Sequence, residues 1–321
     1  MKHCAAALIF SAAFAGTALA NDSTAALGAG GIFLVYAGSI AMDKEELFIS
    51  KDEVRVDYVF RNTQDQPHTY LVAFPMPEIE APGYLESDIG VPDREKDNFM
   101  NFSVTVAGKA VEPKLEMRAL TGGIDVTDKI IALGISLNPL ATATREAINK
   151  LPRGKLDDLI TMGALRVYED TVDAQWTLRT SYYWRQTFPA NATLQVAHRY
   201  TPAFGSAFFY KGLLEDNDYM AKFCIDDGTK KAISRKLASR PEVNPYLAEH
   251  EIQYVLSSGA NWFGPIKDFR LVVDKGKPDA ILSLCMDGVK KISPTQFEVR
   301  KTDFEPKDDI NIMLVQDLPK E

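Results

Sequence analysis

Period-two alternation dominates this chain and predicts a series of strands. Val54, Val56, Tyr58 and Phe60 fall on one face, with Arg55, Asp57 and Arg61 on the other, as in a half-buried strand. Residues 62–67 carry turn chemistry, and 70–74 read as the returning partner strand, stopped by Pro75 and Pro77. Phe102, Val104 and Val106 predict another strand, closed by Gly108. Leu115, Met117 and Ala119 predict one more, closed by Gly122 and Gly123. The longest signal begins at Thr171. Trp176, Leu178, Tyr182, Trp184 and Phe188 share one parity, and Arg179, Ser181, Tyr183 and Arg185 share the other. Tyr183 should therefore face outward. Pro189-Ala190-Asn191 turns the chain and 193–200 comes back, which reads as a hairpin. Five further strands are expected at 252–256, 269–273, 281–285, 296–300 and 310–314.

The period changes in two places. Asn138 followed by Pro139 is a helix start signal, predicting a helix over 140–150. Pro152 and Gly154 break it, and a second helix follows over 155–165. A longer helical stretch runs over 213–239, with Ile233 and Leu237 at i, i+4 spacing, and ends at Pro241. The expected fold is mainly β: two packed β-sandwich-like domains with helical insertions. The first spans 21–204, with its insertion at about 138–168. The second spans 205–321, a helical segment followed by a sheet.

The chain has 321 residues, of which 46% are hydrophobic and 25% charged, enough for a sizeable core. Its net charge of -8 argues against nucleic acid and anionic membrane surfaces as partners, since both call for basic surface.

The first residues read as a cleaved secretory signal: Lys2, an apolar run from Ala5 to Ala15, then Ala18-Leu19-Ala20. Cleavage between Ala20 and Asn21 would leave a mature chain with no segment apolar enough to cross a membrane as a helix. Its two remaining cysteines, Cys224 and Cys285, are expected to pair in an oxidising compartment. Their separation of 61 residues gives about 4 kcal/mol in the chain-entropy account.

Candidate chemistry is sparse. Gly28, Gly30 and Gly31 resemble half of a phosphate-binding loop, but they precede a β-like run, 32–36, and read as a flexible lead-in to it. His68, His198 and His250 lack metal-ligand spacing, and His198 alternates with Val196 and Tyr200 as a packed strand residue would. Ser257-Ser258-Gly259 lacks a nucleophile-elbow frame. Asp226-Asp227-Gly228 and Asp287-Gly288 read as ordinary turns. Forty-four acidic residues guarantee some carboxylate pairs, so pairs decide nothing without geometry. No catalytic residue, cofactor or metal is expected. The aromatic residues say more. Trp262 lies in the turn-rich stretch Gly259-Ala260-Asn261-Trp262-Phe263-Gly264-Pro265. It is either a plug in the protein's own core or an exposed anchor for a partner. Asn261, Trp262, Phe263 and Tyr183 form the candidate binding surface.

Several stretches together resemble the bacterial domain-of-unknown-function family numbered 4424: NDSTAALGAGG at 21–31, ELFISKDEVRVDYVFRNT at 46–63, VAFPMPEI at 72–79, YYWRQTFPA at 182–190, HRYTP at 198–202, YVLSSGANWFGPIKDFRLVVDKG at 254–276 and KKISPTQFEVRKTDFEP at 290–306. The resemblance implies a secreted or periplasmic protein and supplies no catalytic residues. Phe74-Pro75-Met76-Pro77, with Phe188-Pro189-Ala190 and Tyr200, is also similar to the vault/inter-alpha-trypsin N-terminal sandwich. That likeness implies that the two predicted hairpins share one sandwich, with the helices inserted between them.

The functional expectation is a non-catalytic periplasmic binding or scaffolding protein of the cell envelope. Its partner would be an envelope protein or a cell-wall saccharide. The alternative is a hydrolase of envelope polymers working through cleft carboxylates.

Overall fold

The computed structural model describes residues 23–28, 31–81 and 88–318. The leader, its Ala20–Asn21 junction and Gly30 lie outside the described residues.

The chain opens with β1 (Ser23–Gly28) and β2 (Gly31–Val35), which pair as a hairpin, so the strand structure begins before the glycines rather than after them. Next come β3 (Ile40–Ser50), β4 (Val54–Asn62), β5 (His68–Pro75), β6 (Ile79–Glu80), β7 (Asp88–Gly90), β8 (Ser103–Val106), β9 (Lys109–Val111), β10 (Lys114–Thr121) and β11 (Ile124–Asp125). A helical segment follows: α1 (Thr127–Ala132), α2 (Thr142–Asn149) and α3 (Arg153–Thr161). The strands resume with β12 (Leu165–Tyr168), β13 (Thr171–Ala174), β14 (Thr177–Phe188), β15 (Thr193–Tyr200) and β16 (Phe204–Phe209). After α4 (Asn217–Lys222) and α5 (Asp227–Ala238) come β17 (Leu247–Tyr254), β18 (Ile266–Asp274), β19 (Ile281–Leu284), β20 (Lys290–Lys291), β21 (Gln296–Phe304) and β22 (Ile310–Gln316).

The protein is mainly β, with several sheets packed together in a sandwich-like arrangement. One sheet has the order β11-β10-β14-β5-β1-β2, with β6 also against β14. A second has the order β20-β21-β18-β3-β4-β15-β8-β9. Their inner faces meet in one core, where Phe60 packs edge-on to Phe188 at 5.9 Å and Phe102 stacks on Tyr182 at 4.2 Å. A third sheet, β19-β22-β17-β16-β7, joins this core through Ile252, Tyr254, Ile312 and Leu314. Its other face packs on α4 and α5 through Leu247, Met313, Phe223 and Ile233. Strands β3 and β18 pair in parallel, so segments far apart in the chain share the second sheet.

Neither predicted hairpin forms. β4 pairs with β3 and β15, whereas β5 pairs with β14 and β1. Each connection is an arch that carries the chain from one sheet of the sandwich to the other. Alternation shows which face of a strand is buried, and an arch and a hairpin bury the same residues. The arches lie side by side. The Asn62 side chain donates to Phe188 O at 3.2 Å, and Asn191 N donates to Gln64 O at 2.8 Å.

The helical segment also departs from expectation. α2 begins at Thr142, and Asn138 is no helix cap: its Oδ1 accepts from Leu140 N, and its Nδ2 donates to Arg94 O. Trp176 holds this segment to the core, donating from Nε1 to Leu137 O at 2.8 Å.

Candidate functional site

The turn-rich loop around Trp262 is stitched to the chain before β3. Ala37 N donates to Asn261 O, and Phe263 N donates to Ile40 O, each at 2.8 Å. Trp262 is 1% exposed and packs against Phe60 at 4.4 Å and Phe188 at 6.0 Å. Of the two readings of this residue, the plug is correct and the exposed anchor is not. The two flanking backbone bonds turn the indole into the aromatic core. Phe263 remains 45% exposed and Tyr36 60%. A shallow groove of about 340 Å³ runs past Tyr36, Pro265, Phe304 and Pro306. Asn261 is half-buried. Tyr183 is also half-buried rather than fully outward, lies between Ala73 and Lys114 on the first sheet, and does not line this groove.

The histidines are not brought together. His68 stacks near Tyr70, His198 is buried among Tyr58, Phe74, Phe102 and Trp184, and His250 contacts Ser206 and Gln316. Among the described residues, no three His, Cys, Asp or Glu side chains converge as a metal site.

A larger cleft, of about 530 Å³, opens on the helix-side face of the third sheet. Alternation along β17 puts Leu247, Glu249, Glu251 and Gln253 on that face. Leu247 lies under the helices, while Glu251 and Gln253 extend beyond them as the cleft floor, beside Gly205 and Asn311 of the neighbouring strands. Lys222, the last residue of α4, forms one wall, and Pro77 to Glu80 form another. Ile79, Ile89 and Val255 supply apolar surface, whereas Phe204 borders the cleft with its ring packed on His250. Two of the carboxylates are ion-paired: Glu251 with Lys222 at 2.7 Å, and Glu78 with Arg179 at 2.7 Å. Asp309 accepts from Ser257 N at 3.1 Å.

Just beneath α4 and α5, which together cap this face of the sheet, lies Glu249, only 2% exposed. Burial, reinforced by the charge of Glu251, pushes its carboxyl up to about 7, against the opposing effects of the Tyr219 hydroxyl and Lys222. Tyr219 OH donates to Glu249 Oε1. Burial beside this carboxyl in turn drives the Tyr219 hydroxyl far above its ordinary range.

α4 and α5 are short and need fastening. Asp216 caps α4 by accepting from Asp218 N and Tyr219 N, and Asp226 caps α5 by accepting from Thr229 N. The Asp226 stretch is thus a helix start rather than a plain turn. Cys224 and Cys285 stand at disulfide distance, S–S 2.10 Å and Cα–Cα 5.1 Å, tying the end of α4 to the end of β19.

Comparison with curated proteins finds no match. Among solved structures, a crystal structure of a proposed nutrient binding protein from Legionella pneumophila is similar to this chain. The two are 18% identical with a TM-score of 0.44, over 91% of this chain and 72% of that one. Residues 20–313 match the Domain of unknown function DUF4424, and with nearly its whole length covered the chain belongs to that family, whose activity is not established.

Proposed function

We propose that this protein is a non-catalytic, periplasmic binding protein of the cell envelope, and that its cleft holds a cell-wall saccharide. The observation that carries the reading is the lining of the cleft. Gln253 and Asn311 offer donors and acceptors, and Glu80 and Asp309 offer acceptors for hydroxyl groups. Ile89, with the edges of Ile79 and Val255, offers apolar surface for the C–H faces of sugar rings. A volume of about 530 Å³ falls within the range of small-ligand sites. Placement in the periplasm rests on the leader pattern at Lys2 to Ala20.

The lining argues for binding over hydrolysis. Among the described residues, no serine, cysteine or histidine lines the cleft. Glu249, whose carboxyl burial pushes up to about 7, is closed off beneath Tyr219 and does not reach the cleft surface. A glycosidase needs its acid and its second carboxylate on opposite sides of the scissile bond. Incubation with purified cell-wall polymer distinguishes the two. The expected result is saturable retention of protein on the polymer, with no soluble fragments released. Fragment release that scales with protein concentration would overturn the reading.

A further inference from the structure

Glu249 and Glu251 are two residues apart on one face of β17, within hydrogen-bonding reach of each other. α4 touches this carboxyl pair at two points, one turn apart. Tyr219 OH donates to Glu249 Oε1, and Lys222 Nζ meets Glu251 Oε2 at 2.7 Å. The far end of α4 is fastened differently. Phe223 is 1% exposed in the cap core, its carbonyl accepts from Ser283 Oγ, and Cys224 is bonded to Cys285. The six-residue helix therefore has a permanent attachment at one end and a titratable one along its length.

We propose that α4 is a proton-controlled latch on the cleft, closed while the Glu249–Glu251 pair shares a proton and released when the pair is fully ionised. The proposal rests on reading the cleft as the ligand site, because Lys222 is both a latch contact and a cleft wall.

The surroundings of Glu249 make the switch one-sided. From α4 it faces Tyr219 and Lys222, and from its own strand Glu251. The paired positions on the neighbouring strands are Ala207 and Val315, and Met313 Sδ lies 3.3 Å from the Tyr219 hydroxyl, so these strands bring no charge. His250 has the opposite parity and is held by Ser206 and Gln316. With a proton between them, one carboxyl donates to the other, Tyr219 donates to Glu249, and Lys222 neutralises the remaining charge. Without it, two carboxylates face one ammonium, and the carboxylate of Glu249 is buried. Swinging α4 outward hydrates Glu249 and removes Lys222 from the cleft wall. Because Glu249 holds its proton up to about 7 when covered, and a hydrated carboxyl loses it near the ordinary value, opening grows as pH rises between those limits and then levels off.

The test is hydrogen exchange of the ligand-free protein at pH 5 and pH 7.5, corrected for intrinsic rates. Protection of residues 217–223 should fall by about tenfold or more at pH 7.5 and stay below that of β4 at both pH values, as local opening requires. In Glu249→Gln, whose amide can still donate to Glu251 and accept from Tyr219, the protection should be high at both pH values. Equal protection of the wild type at both pH values, or an unchanged fall in Glu249→Gln, overturns the latch. Should that variant not fold, Tyr219→Phe serves: protection at pH 5 should drop toward the pH 7.5 level, and unchanged protection overturns the proposal. No ligand enters the measurement. Failure to bind saccharide therefore refutes the cleft reading alone, and flat exchange refutes the latch alone.

Discussion

Glu249 and Trp262 lie on opposite sides of the same difficulty: a residue's type does not announce its surroundings. The acid raised to about 7 favours the folded state most at low pH. Below the ordinary carboxylate value both folded and unfolded chains hold the proton. As pH rises to about 7 the unfolded chain releases it first, and stability falls. Glu249→Gln should therefore match the wild type near pH 4 and be more stable at pH 8, by up to roughly 3 kcal/mol, as read by urea unfolding at the two pH values. Equal pH dependence in the two proteins would contradict this. Trp262→Ala should cost about 3–5 kcal/mol in the same assay, since it empties a site packed on Phe60 and Phe188. The sequence left Trp262 undecided because flanking glycines and proline put the loop at the surface but do not direct the indole. Glu249 gave no signal at all: its burial comes from Tyr219, thirty residues away, folding over it.

At the scale of elements, strand faces were legible and strand partners were not. The inward faces of β4 and β14 are as read, with Val54, Val56, Tyr58, Phe60, Leu178, Tyr182, Trp184 and Phe188 all buried, but on the other face of β14 Ser181 is buried as well. Partners depend on turn geometry, and both predicted hairpins are arches. Asn62 clasps them, donating from Nδ2 to Gln66 O and Phe188 O and accepting from Gln64 N. Asn62→Leu should cost about 2–3 kcal/mol, because it strands the polar groups that Asn62 satisfies. A loss under 0.5 kcal/mol would show that the arches hold without it. β3 escaped notice for a different reason. A bulge between Met42 and Lys44 shifts its register, so Ile40 and Met42 share an inward face with Glu45, Leu47 and Ile49 despite the change of parity. Arg61 secures the bulge through both oxygens of Asp43, at 2.7 and 2.9 Å. An alternation search cannot follow a strand across such a shift, least of all one that buries an acid.

For the whole molecule, the fold class was readable because alternation recurs over most of the chain. The cleft was not, because it is assembled from segments around residues 77–80, 89, 203–205, 222, 251–255 and 309–311. Each segment is unremarkable alone, and only the third sheet and its cap bring them together. The Cys224–Cys285 pair, which was legible, is what secures that cap. Replacing both cysteines with serine should lower the exchange protection of α4 and α5 while leaving the sandwich strands protected. Uniform loss throughout would mean that the cap is no separate unit of stability. The central claim, that the cleft binds a saccharide without cleaving it, is tested most directly by titrating isotope-labelled protein with muropeptides and following backbone amides by NMR. Saturable shifts centred on Gly205, Glu251, Gln253 and Asn311 are expected, abolished in Gln253→Ala/Asn311→Ala, with the muropeptide recovered intact. Shifts confined to other surfaces, no shifts at millimolar ligand, or a cleaved muropeptide would contradict it.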